Sequence, residues 1–353
     1  MTESLDWAPI ISDVVAGRDL DYDRSYWVMD QVMSGELGEA RLASFLTAMA
    51  IKTPTVAEIH GLADAMQDHA LTVDLPSDAL DIVGTGGDGY KTVNISTTSA
   101  LVLAALGIPL IKHGNRASTS QSGSADVVEA LGVDLDRATE RMREIFDDLG
   151  IAFLFANKVH PSMRFAAPVR RSLAFPTAFN VLGPLTNPAK VRACAIGSAN
   201  ERNAALMAGV YAERGLSSLV FRGKTTGLDE LSTVDVDQVW EVADGEVTLT
   251  EFDPTEYFDM EPAAIGDLRG GDADENAVVV REVLAGGGRR AVRDAVALNV
   301  AAGLIAFGTT EGTRREDGTL IERFGAGVEI ARRALSDGIG AELLDKWVEA
   351  TSD

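Results

Sequence analysis

The stretch from Ala79 to Gly114 constrains the fold more than any other part of the chain. "ALDIVG" and "IPLIKHG" are apolar runs of strand length, and "STTSALVLAALG" between them is apolar enough for a buried helix. Two strands joined through a helix pair in parallel by a right-handed crossover, and a parallel sheet needs helices over its faces. The alternation continues with helix "SADVVEALG" and strand "AFLFA", then with "RACAIG", "NERNAALMAGVYAERG" and "SSLVFRG". "VWEVADGEVTLTEFDP" reads as a hairpin turning at Asp244-Gly245.

Residues 1 to about 70 have another texture. "DYDRSYWVMDQVM" spaces Trp27, Val28, Met29, Val32 and Met33 along a helical face, and "EARLASFLTAMA" follows the break at Gly35 to Gly38. In "TPTVAEIHGLADAMQDHA", Thr55 and Glu58 form a capping box ahead of an apolar stripe of Ile59, Leu62, Ala63 and Met66. The C-terminal part from Glu275 is again rich in helix, with "AGGGRR" as a break. The expected fold is α/β, a small all-helical domain plus a large domain with a central, mainly parallel sheet. The helical domain is placed at 1–75, completed by about 165–190, and the large domain at 76–164 and 191–353.

Charge narrows the function. Acidic residues number 54 against 31 basic, a net −23, the opposite of what a nucleic-acid binder uses to neutralise phosphates. Only seven of the basic residues are lysine, and two of these, Lys91 and Lys112, are read into glycine- and serine-rich loops, where they give an anionic ligand local positive charge. No apolar run reaches membrane-spanning length, and "MTESLDWAPI" lacks the basic segment and apolar core of an export signal. With the single cysteine, Cys194, these features make the cytoplasm the expected compartment and leave no membrane or nucleic-acid partner expected.

"DIVGTGGDGYKTVNIS" is the chemical centre of the chain. Gly84, Gly86 and Gly89 have dinucleotide-fingerprint spacing, but the acid needed ~20 residues on is absent from "AALGIPLIKHG". Gly84, Gly89, Lys91 and Thr92 nearly make a P-loop, but Tyr90 is one residue too many. Neither named motif is present. What remains is a glycine loop whose backbone N–H groups can approach an anion, or in the plainer reading a tight turn after a strand. Asn94, Ser96 and Thr97 then stand just before an apolar helix, as caps or as phosphate ligands. After the second strand come Lys112, His113, Asn115 and Arg116, then five serines or threonines among residues 118–124, and a helix from about Ser124. Ligands of open α/β sheets sit beyond the carboxyl ends of strands, so three anion-ready elements converge there. Asp229 and Glu230 in "GLDELST" suit Mg2+ held against a pyrophosphate, and Arg164, Arg170 and Arg171 after His160 suit a substrate carboxylate; a solvated surface is the alternative for both.

"GTGGD", "NIST", "KHGNR", "SGSADVVEALG", "HPSMR", "FNVLGPLTNP" and "GLDE" occur here in the order seen in anthranilate phosphoribosyltransferases, which the chain resembles over roughly residues 10–340. The resemblance implies transfer of the phosphoribosyl group of phosphoribosyl pyrophosphate (PRPP) to the amino group of anthranilate, Mg2+ dependence and a homodimer formed through the helical part. It implies PRPP contacts at Gly84, Gly87, Asp88, Thr92, Asn94, Ile95, Ser96 and Thr97, continued by Lys112, His113, Gly114, Asn115, Arg116, Ser120 and Ser124. It implies anthranilate contacts at Gly84, Asn115, His160 and Arg170, and metal ligation by Ser96, Asp229 and Glu230.

No Ser-His-Asp or Cys-His set is expected, because the substrate's amine is the nucleophile; His113 is at most a minor general base. One stretch departs from the family. Where members commonly carry His-Gly and an acidic-Gly turn before Leu-Asp-Glu, this chain reads "FRGKTTGLDE", with Arg222 for the histidine and one residue more. The competing reading is a pyrimidine nucleoside phosphorylase, which would bind bare phosphate.

Overall fold

The computed structural model describes residues 5–117 and 121–352. The chain forms two compact units, one of Met1–Val73 with Asn157–Lys190, the other of Asp74–Ala156 with Val191–Asp353. The return of the chain to the helical unit begins at Asn157, earlier than the expected 165, because the segment after "AFLFA" turns directly into helix.

The helical unit is built on helices Trp7–Val15, Tyr22–Met33, Glu39–Lys52 and Val56–Asp68, joined by short helical turns between Pro161 and Leu185. The capping box forms: Glu58 N donates to Thr55 Oγ1 at 3.3 Å, and Thr55 N donates to Glu58 Oε2 at 2.8 Å. Glu58 is fully buried, and Lys52 Nζ at 2.9 Å and Leu20 N at 2.8 Å complete its partners, which removes the penalty of an isolated buried charge. Gly61 lies inside the last of these helices, where glycine costs about 1 kcal/mol against alanine. The reason is a close crossing: a Cβ there would stand 2.3 Å from the Tyr22 carbonyl oxygen.

The other unit is a seven-stranded sheet of β1 Leu80–Gly84, β2 Leu110–Gly114, β3 Ile151–Phe155, β4 Ala193–Gly197, β5 Ser217–Gly223, β6 Asp237–Ala243 and β7 Glu246–Phe252. Its order is β3-β2-β1-β4-β5-β6-β7. The first five strands are parallel, and β6 and β7 are antiparallel additions. The hairpin turn falls on Asp244-Gly245 with φ of 53° and 78°, the two left-handed residues that a tight hairpin of matching twist requires. β2 and β4 are buried at every position, as expected of a sheet covered by helices. Helix Arg290–Phe307 is buried on nearly all sides, packed against β1, β4 and β5 and against helices Ile95–Ala105 and Leu320–Asp337.

After β1 the chain adds β2 and β3 on one side, then returns to lay β4 against the other. The crevice between the ends of β1 and β4 is therefore the topological switch point, where open α/β sheets bind ligands.

Gly61→Ala should destabilise the helical unit by about 1–3 kcal/mol, because overpacking at the crossing outweighs the better helix propensity of alanine. A urea denaturation midpoint equal to or above that of the unmodified chain would show that the two helices separate without cost.

Candidate active site

At the end of β1 the backbone takes positive φ at Gly86 (67°), Gly87 (88°) and Gly89 (78°), and a Cβ on any of them would meet open space. Glycine is thus required there for backbone conformation and not for room. Tyr90, the residue that spoils the P-loop spacing, is an anchor. Its N–H donates to Asp88 Oδ1 at 3.0 Å and its hydroxyl donates to the Thr226 carbonyl oxygen at 2.9 Å. The loop's far side is tied down by Gly270 N to Lys91 O at 2.9 Å and Val93 N to Leu268 O at 3.0 Å.

Helix Ile95–Ala105 starts where expected, but its cap differs from the expectation. Asn94 occupies the capping position without a side-chain cap; its amide donates to Ser122 O at 3.3 Å and accepts from Asn276 Nδ2 at 2.9 Å. Ser96 and Thr97 lie within the first helical turn and not ahead of it. The Ser96 N–H is accepted by Glu230 Oε1 at 3.2 Å, so a carboxylate from a distant loop sits at the positive end of the helix. The buried Thr97 hydroxyl has no hydrogen-bond partner among the described residues.

Lys112, read both into a loop and at the carboxyl end of the second strand, is a residue of β2 and only 3% exposed. Its ammonium donates to the Ile82 carbonyl oxygen and lies 3.4 Å from Ser96 Oγ. Burial pulls its pKa below the usual lysine value, while the charges of Asp81 and Glu230 hold it up. Asp81 is fully buried in β1 and also accepts His113 N at 3.1 Å. Asp81 is not among the residues expected at the site, although an acid inside the apolar run "ALDIVG" was the available signal. His113 follows Lys112 in β2 and is buried.

The third element closes as expected, with helix Ser124–Ala130. Ser124 Oγ accepts Asn115 N at 3.1 Å, and Gly114 leaves room for it, since a Cβ there would lie 2.4 Å from that oxygen. Asn115 is exposed. Arg116, by contrast, is engaged by the helix that follows its loop, with Glu129 at 2.6 Å and Asp126 at 3.0 Å. Ser120 lies outside the described residues.

Asp229 and Glu230 complete the group. Asp229 lies across the switch point: a Cβ on Gly197 would be 1.6 Å from its carbonyl oxygen, and one on Gly84 2.8 Å from its Oδ2. Oδ2 accepts Gly86 N at 2.6 Å. Burial, and then the neighbouring Asp88 carboxylate, push the Asp229 pKa up to about 7. Glu230 is pushed well above its usual value by burial and then by Asp229, with Lys112 and the Ser96 N–H opposing. Asp88 Oδ2 is buried, and the Asp88 carboxyl lies against that of Asp229. The described residues hold no cluster of three His, Cys, Asp or Glu side chains arranged as metal ligands. The side chains gathered here offer oxygen donors only, two carboxyl groups and the Ser96 hydroxyl, and a bound cation would favour the ionised forms that burial opposes. That set suits a hard divalent cation whose remaining positions go to water or phosphate oxygens.

In the helical unit, His160 is 4% exposed, and burial lowers its pKa to about 4 against the pull of a hydrogen bond to the Thr186 backbone. The Arg170 guanidinium stacks on the Phe179 ring at 4.9 Å and makes no ion pair with a described residue. Burial lowers its pKa, so it is a partly desolvated cation in a strongly acidic chain. Arg164 and Arg171 are exposed. A separate cavity of about 450 Å³ lined by Asp259, Arg290, Arg293, Asp294 and Arg332 shares no residue with these groups.

Residues 8–70 match the helical bundle domain of a glycosyl transferase family, and residues 76–339 match its a/b domain. The chain is 52% identical over 345 residues to an anthranilate phosphoribosyltransferase of Arthrobacter sp. (strain FB24), covering 98% of this chain and 96% of that one. Its fold is similar to the crystal structure of the anthranilate phosphoribosyltransferase of Thermus thermophilus, with a TM-score of 0.85, 38% identity and 98% and 99% of the two chains covered. It is similar as well to the Saccharomyces cerevisiae enzyme in complex with PRPP and Mg, with a TM-score of 0.83, 26% identity and 98% of each chain covered. Fold and site therefore define a glycosyl transferase of the two-part kind, a helical bundle with an a/b domain. Within that class, the chain belongs to the anthranilate phosphoribosyltransferase family.

His160 makes stability depend on pH. Between pH 6.5 and 4 the unfolded chain takes up a proton at this residue that the folded chain does not, so stability falls as the pH is lowered through that window. The loss approaches about 3 kcal/mol by pH 4. Urea denaturation at pH 7 and pH 4.5 should show a smaller difference in His160→Gln than in the unmodified chain; equal differences would mean that His160 protonates freely in the fold.

Proposed function

We propose the following division of labour for the family's reaction in this chain. The chain transfers the 5-phosphoribosyl group of PRPP to the amino group of anthranilate, giving N-(5-phosphoribosyl)anthranilate and pyrophosphate, a step of tryptophan biosynthesis. The observation that carries the assignment is the Asp229–Glu230 pair lying over the β1–β4 switch point, bonded to the N–H groups of Gly86 and Ser96. A phosphorylase using bare phosphate has no need of two buried carboxylates there.

PRPP takes the glycine loop at Gly84, Gly87 and Asp88, the start of the following helix at Thr92, Asn94, Ile95, Ser96 and Thr97, and the end of β2 at Lys112, His113, Gly114, Asn115 and Ser124. Arg116, held by Glu129 and Asp126, shapes that loop more than it contacts the ligand. Ser96, Asp229 and Glu230 hold Mg2+, which when bound neutralises charge on the pyrophosphate. Of the anthranilate contacts proposed, Gly84 and Asn115 belong to the sheet unit and His160 and Arg170 to the helical unit; Arg170, partly desolvated and without an ion pair to a described residue, is a cation that gains much from a carboxylate.

Attack of the aromatic amine on C1 of the ribose forms the C–N bond as the C–O bond to pyrophosphate breaks. The leaving group departs with the bonding electrons, and the amine's proton passes to water. No side chain forms a covalent bond. The chain's part is to position the two substrates and to aim backbone donors at the departing phosphates. An arylamine is so weakly basic that its protonated adduct needs no strong base, which leaves His113 a minor role.

The helical unit exposes Val15 by 70% and Ile51 by 81% on the neighbouring faces of helices Trp7–Val15 and Glu39–Lys52. We assign this apolar face to a homodimer contact. Among the described residues no helix is long and apolar enough to cross a membrane, which is compatible with a cytoplasmic enzyme.

Anthranilate fluorescence should fall on addition of PRPP in the presence of Mg2+ and stay constant in its absence. The pair Asp229→Asn with Glu230→Gln should slow that loss by about 100-fold or more with the far-UV circular dichroism unchanged. Undiminished activity across Mg2+ concentrations would remove the metal assignment. Separately, Ile51→Glu should shift the mass measured by light scattering from dimer to monomer, and an unshifted dimer would place the contact elsewhere.

A further inference from the structure

The turn that leads into Asp229 and Glu230 is gripped from two sides by residues outside the assigned site. On one side Arg222, in β5 and only 8% exposed, donates from Nη1 to the Lys224 carbonyl oxygen at 3.1 Å and to Gln238 Oε1 at 2.7 Å. Gln238, its partner across the β5–β6 ladder, donates in turn to Glu251 Oε1 at 2.9 Å. Lys224 Nζ donates to the other oxygen of Glu251 at 2.6 Å. These contacts close a ring across β5, β6 and β7. Gly227, at φ 70°, packs over the same guanidinium; a Cβ there would lie 3.3 Å from Arg222 Nη2.

On the other side the Tyr90 hydroxyl donates to Thr226 O at 2.9 Å, joining the turn to the glycine loop. Asp235 fixes the middle, accepting the N–H groups of Thr225 and Thr226, each at 2.6 Å. The turn closes on itself through Gly227 N to Gly223 O and Gly223 N to Leu228 O, both 2.9 Å. Leu228 is fully buried, and the next two residues are the carboxylates.

We infer that Arg222 and Tyr90 are positioning residues, which clamp the Lys224–Leu228 turn between them and so set the place of Asp229 and Glu230 against the glycine loop. Mg2+ tolerates little departure from octahedral geometry, so carboxylates on a loose turn would bind it less well. The action is through bonds and not through charge. The charge that chiefly bears on Asp229 is that of Asp88, and those on Glu230 are Asp229, Lys112 and Asp88. The two clamps are independent, one a sheet-borne cation and the other a hydroxyl of the substrate loop, and removing either frees one side of the same turn.

The inference rests on the metal assignment above, and its test separates the two. PRPP-dependent Mn2+ binding to the full chain is measured by electron paramagnetic resonance, alongside kinetics over Mg2+ and over anthranilate. Arg222→Met should weaken Mn2+ binding and raise the half-saturating Mg2+ concentration by about 10-fold, with KM for anthranilate unchanged. Arg222→Lys, which keeps one donor, should fall between. Tyr90→Phe, which removes a single hydroxyl from a half-buried ring, should shift both quantities the same way by about 5-fold. Unaltered Mn2+ binding in Arg222→Met and Tyr90→Phe, or a KM for anthranilate that moves as far as the metal dependence, would overturn the clamp. If Arg222→Met fails to fold, Tyr90→Phe alone decides. Equal Mn2+ binding by Asp229→Asn and the unmodified chain would overturn the metal assignment, and the clamp with it.

Discussion

The Asp229 main chain occupies the space that a side chain on Gly197 would need, and its carboxylate the space that one on Gly84 would need; the organisation of the large unit around its site depends on that close approach. A Cβ 1.6 Å from a carbonyl oxygen cannot be relieved by a rotamer change, because the obstacle is backbone. The last residues of β1 and β4 are glycine so that the Asp229 segment can lie directly on the strand ends. Once it does, the Gly86 and Ser96 N–H groups have carboxylate partners, and two acids are buried at the crevice where an open α/β sheet takes its ligand.

That arrangement is electrostatically unfavourable without a ligand. Asp229, Glu230 and Asp88 crowd together with Lys112 as the opposing charge, and burial drives the first two toward their protonated forms. A fold selected for stability alone would avoid such a group; its retention is the kind of local conflict expected where binding supplies the missing charge. The wider chain repeats the theme, since a net −23 repels polyanions at long range, and a pyrophosphate ester has to be held by local donors.

Much of this was legible in the order of residues. The β-α-β unit, the hairpin turn at Asp244-Gly245, the Thr55–Glu58 capping box and the helix starting at Ser124 follow from periodicity and turn chemistry, which are local. The illegible parts were long-range. Asn94 has a good capping side chain, but Ser122 from a loop and Asn276 from helix Ala273–Leu284, both distant in sequence, compete for it. Lys112 resembles a loop cation because glycines and serines follow it. The strand ends at Gly114 as "IPLIKHG" implied, and packing at that end buries the ammonium among Ile82, Ser96 and the field of Asp81. Tyr90 is a misfit in a phosphate motif, and its hydroxyl bond to Thr226 spans a separation of 136 residues that no local pattern encodes.

By itself, the sequence determined the class of fold, the strand ends that carry the chemistry, and the acidic character that excludes a nucleic-acid surface, because each depends on residues near one another in the chain or on composition. Tertiary structure decided which polar groups are spent on bracing and which are left for a ligand. Arg116 and Arg170 are both arginines beside binding motifs, yet one is paired with Glu129 and Asp126 while the other is desolvated over Phe179 with no described carboxylate beside it. Their difference lies in burial and in partners brought together by folding, and a charge gains or loses its availability only when those neighbours are in place.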